Sequence, residues 1–474
     1  MHQKLTGIDV NKARAPRQTS LPLDIVVVGA GVTGLTCALA LTRVGHRVLV
    51  LEKDKDWTVS PKRKCGFPVP ASVSSLFSRW NLLHILDRAG ITSENVWFRN
   101  LQTLHTLGED RYDTDLVKDA GGELMLVSRG ELELSILDIA EQLGAKVRMD
   151  AEVTEIGEDG RSVTLANGEV LLADMIVGAS GCLSVCRKML EEPGEDQGVD
   201  MGMAMLDAII PRTAAEADTE VSANKELTEV NYFYGNGRQA HIYPFNETDI
   251  AFHLYVPSSG DGGGEDWNDT ITSEEFAALA EDFCHPSIHK LAGLATSVSK
   301  IRIVNRPLLD EWVHDSGHMV TVGGAAHPYL PGVMQGGGMG IEDAGLLGAL
   351  FAHFHFMDQI PTFLYAFEEM RQTRCKMIND VELMTMQLWT MPDGPEAEER
   401  ERLFTEKSST GRGMFDGDEN MNIKLYGYNV EDAADEWWIQ WGVIAERTKH
   451  AGEKPEDSQT SGVGGVSVRI KSMG

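Results

Sequence analysis

The sequence has little cysteine, no excess of basic residues and no long apolar run, and each absence excludes a class of protein. Its six cysteines, spread over 474 residues, form no CxxC pair and have no histidine at zinc spacing. We therefore expect no metal site and no disulfide framework. With 42 basic against 72 acidic residues, the formal charge of −30 argues against nucleic acid and anionic membranes as partners.

Apolar residues are also too scattered for a membrane span. No window approaches the run of about 18 apolar residues that a spanning helix needs, and the first 20 residues lack the apolar core of a signal peptide. These absences, with the sparse cysteines, predict a cytoplasmic protein, which we expect to be a monomer or a homodimer. The length is that of two or three domains.

A strand, a glycine turn, a helix and a second strand follow one another near the N-terminus. Residues 25–28 predict a buried strand, which leads into Gly29, Gly31 and Gly34 in the spacing GxGxxG. In this spacing the glycines permit a tight turn, the approach of a pyrophosphate and close packing of the helix on the strand. Glu52 ends the second strand, where its carboxylate can bind a ribose hydroxyl. The pattern predicts a site for FAD or NAD and disfavours NADP.

Two residues farther along the chain are expected at the same nucleotide. Gly66 follows the basic stretch 62–64, directly after the nucleotide strand, and permits close backbone approach to a ligand. Arg129 lies at the predicted N-terminus of a helix, where a cation opposes the helix dipole unless an anion compensates it. A pyrophosphate beside Arg129 would provide that anion.

A second glycine-rich turn lies between a predicted strand at 318–322 and a helix that begins near Gly340. It contains Gly324 and Gly337. Such a density of small residues before a helix lets backbone N–H groups face a ligand. The turn is therefore a second candidate part of the nucleotide site.

Together these stretches resemble the class A FAD-dependent aromatic monooxygenases, most closely the salicylate hydroxylase-like branch found widely in fungi. The resemblance extends in order from about Leu23 to Trp438. It rests on Glu52, Gly66, the segment 128–132, GAxGxxSxxR at 178–187, Tyr243-Pro244, AAHxxxP at 325–331, Glu342-Asp343-Ala344 and Asp393-Gly394-Pro395.

The resemblance implies an α/β fold in which a Rossmann-like FAD-binding domain is interleaved with a β-sheet substrate domain, followed by C-terminal helices. The expected parts are a disordered arm at 1–20, FAD-binding segments with sheet insertions at 21–195, a substrate domain at 196–300, a second FAD-binding part with a long helix at 301–390, a helical region at 391–448 and a disordered tail at 449–474.

The resemblance also implies a reaction. NADH or NADPH reduces FAD, O2 then forms a flavin C4a-hydroperoxide, and one oxygen is transferred to a phenolic or other aromatic small molecule. The sequence has no second GxGxxG, so NAD(P)H is expected to dock transiently on the flavin face. The implied cofactor-binding residues are Gly29, Gly31, Gly34, Glu52, Gly66 and Arg129 for the ADP half of FAD and its linker, with Gly324 and Gly337 in the turn around the ribityl chain and flavin.

Four residues on predicted strands of the substrate domain are candidates for deprotonating or polarising a phenol. They are Tyr232, Tyr234, His241 and Tyr243, of which we take Tyr232, His241 and Tyr243 as the catalytic prediction. For each one taken singly, the alternative is a place in a packed aromatic sheet face. His327 follows the flavin turn and is interpreted as a packing and capping residue.

Three positions depart from the family pattern. Ser180 precedes Gly181 where the family has aspartate, Gly324 replaces an aspartate expected to bind a ribityl hydroxyl, and Asp207 stands where an arginine is common. A second hypothesis is therefore an FAD-binding protein with weak or no hydroxylase activity. A flavin-dependent halogenase is a weaker third hypothesis, since the motif GWxWxIP of that family is absent.

Overall fold

The computed structural model describes residues 10–56, 60–93, 95–111, 121–191, 198–258, 264–265, 267–410 and 419–444. Its strands in chain order are Asp24–Val28 (β1), Arg47–Leu51 (β2), Gly66–Val69 (β3), Gly90–Thr92 (β4), Asn95–Asn100 (β5), Thr106–Arg111 (β6), Met125–Ser128 (β7), Lys146–Arg148 (β8), Val153–Ile156 (β9), Ser162–Leu165 (β10), Val170–Leu172 (β11), Met175–Gly178 (β12), Val199–Pro211 (β13), Asn231–Gly235 (β14), Arg238–Pro244 (β15), Asp249–Pro257 (β16), Ser297–Asn305 (β17) and Met319–Thr321 (β18).

The α-helices, in the same order, are Val32–Arg43 (α1), Ala71–Arg79 (α2), Leu83–Ala89 (α3), Arg129–Leu143 (α4), Val185–Leu190 (α5), Arg212–Ala217 (α6), Thr219–Ser222 (α7), Ser273–Glu281 (α8), Pro286–Ala292 (α9), Gly336–Phe351 (α10), Ile360–Trp389 (α11), Pro395–Ser409 (α12), Glu419–Tyr426 (α13) and Val430–Trp437 (α14). Short 3-10 turns lie at Val10–Ala13, Pro61–Lys64, Lys225–Thr228, Gly323–Ala325 and Met357–Gln359, and a π turn lies at Trp438–Gly442.

The predicted Rossmann-like sheet is present and entirely parallel. Its strand order is β18-β12-β1-β2-β8. Residues 25–28 are buried, as a central parallel strand covered on both faces should be. Helix α1 packs against α4 and α10, so the helices that follow the two glycine-rich turns lie side by side. The α/β fold class inferred from the sequence is confirmed.

The second large sheet has seven strands in the order β17-β13-β16-β15-β14-β5-β6. One of its faces packs on α8 and α9 in a separate apolar core, which includes Phe252, Phe276 and Leu291. This sheet does not coincide with the predicted segment 196–300. Strands β5 and β6 join it from residues 95–111 through a parallel pairing of β5 with β14, and β17 extends it to Asn305. The pairing joins strands more than 130 residues apart, which local patterns cannot reveal.

The N-terminal segment is ordered from Val10 onward. Ala13 is 1% exposed within the core around α1, and the amide of Thr19 donates to the carbonyl of Val44 at 2.8 Å. The expected disordered arm at 1–20 is therefore wrong for its second half, because the apolar side chain of Ala13 is buried in the core around α1. Residues 1–9 and the predicted tail at 449–474 lie outside the described residues. No helix in the described part of the chain is both long and apolar enough to cross a bilayer.

Candidate active site

The glycine turn after β1 has the geometry of a dinucleotide clamp. Gly29 has a φ of +105°, and a Cβ there would lie 2.8 Å from the carbonyl oxygen of Ala179. A Cβ on Gly34 would lie 1.9 Å from the carbonyl oxygen of Gly29, so only glycine allows α1 to pack this closely. Gly31 is the N-cap of α1 with extended backbone and no side-chain cap. The first amides of α1 thus have no side-chain acceptor, which leaves them available to an anion.

Glu52 and Arg129 lie at this turn, as the sequence predicts. The carboxylate of Glu52 accepts hydrogen bonds from the amide of Ala30 at 2.7 Å and of Asp54 at 3.0 Å. The guanidinium of Arg129 would lie 4.0 Å from a Cβ on Gly31 and pairs with Glu133 at 3.0 Å. Burial alone would lower the pKa of Arg129, but the Glu133 carboxylate outweighs this and raises it. A carboxylate for a ribose and a permanent cation for a pyrophosphate therefore flank one helix N-terminus.

We predict that Glu52→Ala weakens FAD binding by about tenfold, the loss of one hydrogen bond to a charged acceptor. Glu52→Gln is the matched control, since its amide oxygen keeps an acceptor for Ala30 and should retain most of the affinity. The measurement is titration of apo-protein with FAD, followed by flavin fluorescence. Equal affinities for the alanine variant and the wild type would rule out the ribose role of Glu52.

The second glycine turn lies against the first. Gly323 has a φ of +57°, and Cβ atoms on Gly323 and Gly340 would lie 2.6 and 2.1 Å from the hydroxyl oxygen of Thr33 in α1. Gly324 differs from Gly323, because a Cβ on it would meet no heavy atom nearer than 3.8 Å. The turn is thus closed around Thr33 on one side and open at Gly324 on the other.

A buried ionic cluster holds this second turn. Asp343 accepts from the amide of Gly323 at 2.7 Å, pairs with His327 Nε2 at 2.6 Å and accepts from Arg371 Nε at 2.7 Å. Burial alone would lower the pKa of His327, but Asp343 outweighs this and raises it. Glu342 pairs with Arg371 at 2.8 Å and with Arg374 at 2.6 Å. His327 is therefore charged and structural, in agreement with its interpretation as a packing and capping residue.

The cluster also contains the potential metal ligands His327, Asp343 and Cys375, whose ligand atoms lie within 4.8 Å of one another. Arg371 donates to both Asp343 and Cys375. A cation already sits between these two groups, so the arrangement is an ion-pair network and not a metal centre.

An open cleft lies between the glycine turns and the seven-stranded sheet. Four of the predicted cofactor residues, Gly66, Arg129, Gly324 and Gly337, line this cleft. The other four, Gly29, Gly31, Gly34 and Glu52, form the clamp that adjoins it through Arg129. This site fits FAD. Glycines leave space that a side chain would occupy, the N-terminus of α1 has no side-chain cap, and Glu52 and Arg129 flank it. The adenosine end of FAD would lie at Glu52 and the flavin end in the cleft.

The far wall of the cleft carries polar residues that the sequence analysis did not select as catalytic. They are Asp207, His253, Glu265, Trp267, Arg302 and Arg306. Asp207 has contacts of its own and does not merely replace the arginine common in the family. Its carboxylate accepts a hydrogen bond from Trp267 Nε1 at 3.2 Å and lies 3.2 Å from His253 Nε2. The only sequence signal for these wall residues was the alternation of side chains along the strands that became β13 and β16. It places each side chain on one face of its strand, but it does not give the register that makes Asp207 and His253 neighbours.

The predicted catalytic residues share that sheet face but do not line the cleft. Cross-strand pairing places Tyr232, His241 and His253 in one row, and cross-strand partners lie on the same face of a sheet. Trp389 from α11 covers the end of the row, with its ring 5.0 Å from Tyr232 and 5.6 Å from His241. Burial lowers the pKa of His241 well below its usual value and raises that of Tyr232.

Tyr243 is also buried, and its hydroxyl lies 3.4 Å from His253 Nε2. Burial, and after it the nearby Asp207, raises the pKa of Tyr243 well above its usual value. Tyr232, His241 and Tyr243 are not among the residues that line the cleft, and their action on the substrate stays a prediction. The packed aromatic face describes Tyr232 and His241, whereas Tyr243 lies against two residues of the cleft lining, His253 and Gly66.

Glu382 on α11 is a buried carboxyl beneath the glycine turn. It accepts from the amide of Gln335 at 2.7 Å, and burial raises its pKa to about 7 despite this hydrogen bond. Since the pKa in the unfolded chain is about 4.3, the folded protein binds more protons across the intervening window. The protonated carboxyl therefore favours the fold below pH 4, and this stability is lost as the pH rises to 7.

We predict that Glu382→Gln, which keeps the acceptor for Gln335, is more stable than the wild type by about 1–2 kcal/mol above pH 7. Urea unfolding at pH 5 and pH 8 measures the effect. Asp380→Asn, which removes an exposed carboxylate from the same helix, should leave the pH dependence of the wild type intact. A slope that persists in Glu382→Gln would contradict the assignment.

Comparison with known proteins gives a consistent result. The family model described as FAD binding domain matches residues 22–380. The FAD-dependent monooxygenase OpS4 of Beauveria bassiana is 28% identical over 387 residues, covering 81% of this chain and 89% of that protein. Hispidin-3-hydroxylase of Neonothopanus nambi is 28% identical over 384 residues, covering 75% and 86%. The solved structure of CtdE with FAD and substrate 4 has a TM-score of 0.74 at 17% identity, covering 90% of this chain and 100% of that chain, which shows the shared fold.

Proposed function

Because the chain belongs to the FAD-binding-domain family, we propose that its cleft takes a phenolic or other aromatic small molecule, which is hydroxylated with NAD(P)H and O2. The resemblance to class A FAD-dependent aromatic monooxygenases is confirmed, and the protein is an FAD-dependent monooxygenase. The observation that supports the aromatic substrate is the cleft itself. It joins the turn at Gly324 and Gly337 to a sheet face that carries Asp207 and His253, beside Trp267.

When bound, FAD supplies the redox chemistry by accepting a hydride and activating O2 for transfer of one oxygen atom to an electron-rich ring. The chain provides binding, orientation and exclusion of water. In this proposal Glu52 holds the ribose, Arg129 neutralises the pyrophosphate, and the turn at Gly324 faces the flavin end. Trp267, Met205 and Val333 also line the cleft and supply apolar contact for an aromatic ring. Exclusion of water by these walls limits wasteful reduction of O2.

NAD(P)H has no dinucleotide clamp of its own in this proposal. The glycine clamp at Gly29 serves FAD, and the sequence contains no second GxGxxG. Docking of NAD(P)H at the open side of the cleft is therefore the arrangement that the chain can provide. A monomer or homodimer is compatible with it, since every residue invoked lies on one chain.

The alternative is an FAD-binding protein with weak or no hydroxylase activity. It is motivated by Gly324, which leaves the ribityl chain without the expected carboxylate, and by Ser180. Apart from Gly324 and Ser180, the chain has the residues that the clamp and the cleft require, so we favour the enzyme over the binding protein.

Substrate-stimulated oxidation of NAD(P)H decides between the two functions. Protein saturated with FAD is supplied with NADH or NADPH and a panel of phenols, and the loss of NAD(P)H absorbance is recorded with 18O2 incorporation by mass spectrometry. A hydroxylase gives accelerated oxidation with one labelled oxygen in a product. If FAD binds but no member of a broad aromatic panel accelerates oxidation, the second hypothesis is correct.

A further inference from the structure

Two buried carboxyl groups hydrogen-bond to backbone amides of the second glycine turn. Asp343 accepts from Gly323 at the start of the turn, and Glu382 on α11 accepts from Gln335 at its end, both at 2.7 Å. Gln335 is the N-cap of α10, a helix that has no side-chain cap and no acidic residue in its first turn. Glu382 therefore supplies, from a different segment of the chain, the carboxyl group at the N-terminus of α10.

These two carboxyl groups differ in the cations around them. Burial alone would raise the pKa of Asp343, but His327 and Arg371 outweigh this and lower it to about 2. Among the described residues no cation pairs with Glu382, and burial raises its pKa to about 7. Asp343 therefore keeps its negative charge at neutral pH, whereas Glu382 gains or loses its charge there.

The segment that Glu382 holds also lines the cleft. Gly332, Val333 and Gly337 are lining residues, and Gln335 lies between them in the sequence. In the proposed orientation of FAD the flavin end lies at this turn, in front of the first amides of α10. The side chain of Glu382 is only 8% exposed, so solvent and salt screen its charge weakly. A charge on Glu382 therefore acts on the helix N-terminus that faces the flavin.

We propose that Glu382 tunes the reduction potential of FAD: its carboxylate disfavours the negative charge of reduced FAD, and it takes up a proton when the flavin is reduced. Glu382 is thus a positioning residue that acts through the turn. The proposal rests on the orientation of FAD given in the proposed function, and it applies whichever substrate the cleft accepts.

The step is proton uptake coupled to reduction. A hydride from NAD(P)H carries two electrons and one proton to the oxidised flavin, which is neutral, and produces the reduced anion. A proton from solvent then forms the O–H bond of the Glu382 carboxyl and offsets the added charge. Reoxidation releases this proton. Because such a coupling is reciprocal, reduced FAD raises the proton affinity of Glu382 by the same factor by which the carboxylate weakens the binding of reduced FAD.

The ionisable groups that face Glu382 come from the seven-stranded sheet. They are Tyr232 on β14 and Tyr255 on β16, with His241 between their rings at 4.2 and 5.1 Å and Tyr426 beyond Tyr232. Burial raises the pKa of Tyr232 and Tyr255, to which Glu382 adds, and burial lowers the pKa of His241. These three groups are neutral near pH 7, so their charges do not change together with that of Glu382.

The direct test is the two-electron midpoint potential of bound FAD, measured against a reference dye during reduction by xanthine and xanthine oxidase. At pH 8 the potential of Glu382→Gln should lie above that of the wild type by about 20–45 mV. This shift corresponds to binding of reduced relative to oxidised FAD that is about five- to thirtyfold stronger, the range for a partly buried charge at a helix terminus, at about 30 mV per tenfold. At pH 5 the two potentials should agree, because Glu382 is then protonated in the wild type.

The matched control is Asp380→Asn, which removes a carboxylate from the same helix that is 58% exposed and paired with Lys376. Its potential should equal that of the wild type at both pH values. Equal potentials of Glu382→Gln and the wild type at pH 8 would overturn the proposal. A shift of the same size at pH 5 and pH 8 would overturn it as well, because it would report a rearranged turn and not a charge.

A second measurement needs only the wild type. Infrared difference spectra of the FAD-loaded protein, recorded on reduction with dithionite at pH 8, should show a new C=O stretch of a protonated carboxyl group that shifts in D2O. The band should be absent from Glu382→Gln and present in Asp380→Asn. If reduction of the wild type produces no such band, Glu382 does not take up the proton, whether or not the variants fold.

Neither measurement uses a substrate, so the result is independent of the hydroxylase reaction. A Glu382-dependent potential without phenol-stimulated NAD(P)H oxidation would support the role of Glu382 and contradict the hydroxylase. Phenol-stimulated oxidation with equal potentials in the wild type and Glu382→Gln would support the hydroxylase and contradict the role of Glu382.

Discussion

Replacing Arg371 with methionine is expected to lower the free energy of unfolding by about 3–5 kcal/mol, the cost of removing one partner from a buried ion pair. Arg371 is completely buried and donates to Asp343 at 2.7 Å, to Glu342 at 2.8 Å and to the carbonyl of Met339 at 3.1 Å. Methionine fills much of the volume but leaves part of two buried carboxylates unpaired. The substitution should also loosen FAD, because Asp343 holds the amide of Gly323.

The matched control for Arg371→Met is Arg402→Met. Arg402 also bridges two carboxylates, Glu399 and Glu406, both at 2.7 Å, but its side chain is 58% exposed. Exposed pairs contribute roughly 0–1 kcal/mol, so this variant should unfold within about 1 kcal/mol of the wild type. Denaturant unfolding followed by circular dichroism measures both. A loss below 1 kcal/mol for Arg371→Met would mean that the cluster relaxes or takes in water, and the structural role assigned to it would be wrong.

Replacing Gly324 with aspartate is expected to tighten FAD binding by roughly ten- to a hundredfold, which corresponds to one charge-assisted hydrogen bond of about 1.5–3 kcal/mol. The backbone of Gly324 is outside the left-handed region, and a Cβ would lie 3.8 Å from Gly181 Cα and 3.9 Å from the amide nitrogen of Cys182. These are ordinary van der Waals contacts, so the strain that glycine-specific turns impose does not arise. The position also lines the cleft, where a carboxylate can reach a ribityl hydroxyl.

The adjacent Gly323 is the matched control for this gain. Its φ of +57° and a Cβ position 2.6 Å from Thr33 Oγ1 predict that Gly323→Ala weakens FAD binding. Titration of the apo-proteins with FAD, read by flavin fluorescence or calorimetry, compares both variants with the wild type. Weaker binding by Gly324→Asp would contradict the simple replacement of a ribityl-binding carboxylate and would show that the turn uses a different contact.

The part of the molecule that binds the cofactor could be predicted largely from local sequence patterns. The spacing of Gly29, Gly31 and Gly34 predicts which backbone atoms must approach closely. The close contact at Gly34 is with the carbonyl of Gly29 in the same βαβ unit, whereas the close contact at Gly29 is with Ala179, which follows β12 far along the chain. Asp207 illustrates the limit of such reading. The motif comparison marked it as a missing arginine, but could not show that Trp267 donates to its carboxylate and that His253 lies beside it.

Sequence alone therefore determined the clamp for FAD or NAD, because short-range spacing and hydrophobic periodicity dictate it. The fold class and the choice of FAD followed from the resemblance of the ordered motifs to a known family. Only the tertiary structure decided which histidine of the substrate sheet faces the cleft. His241 and His253 lie in strand patterns of the same kind and in register on one sheet face. The choice depends on the strand order, which puts β16 beside β13 and its Asp207, and on Trp389 from α11, which covers His241. Register and coverage arise from contacts between segments far apart in the chain, and no local pattern encodes them.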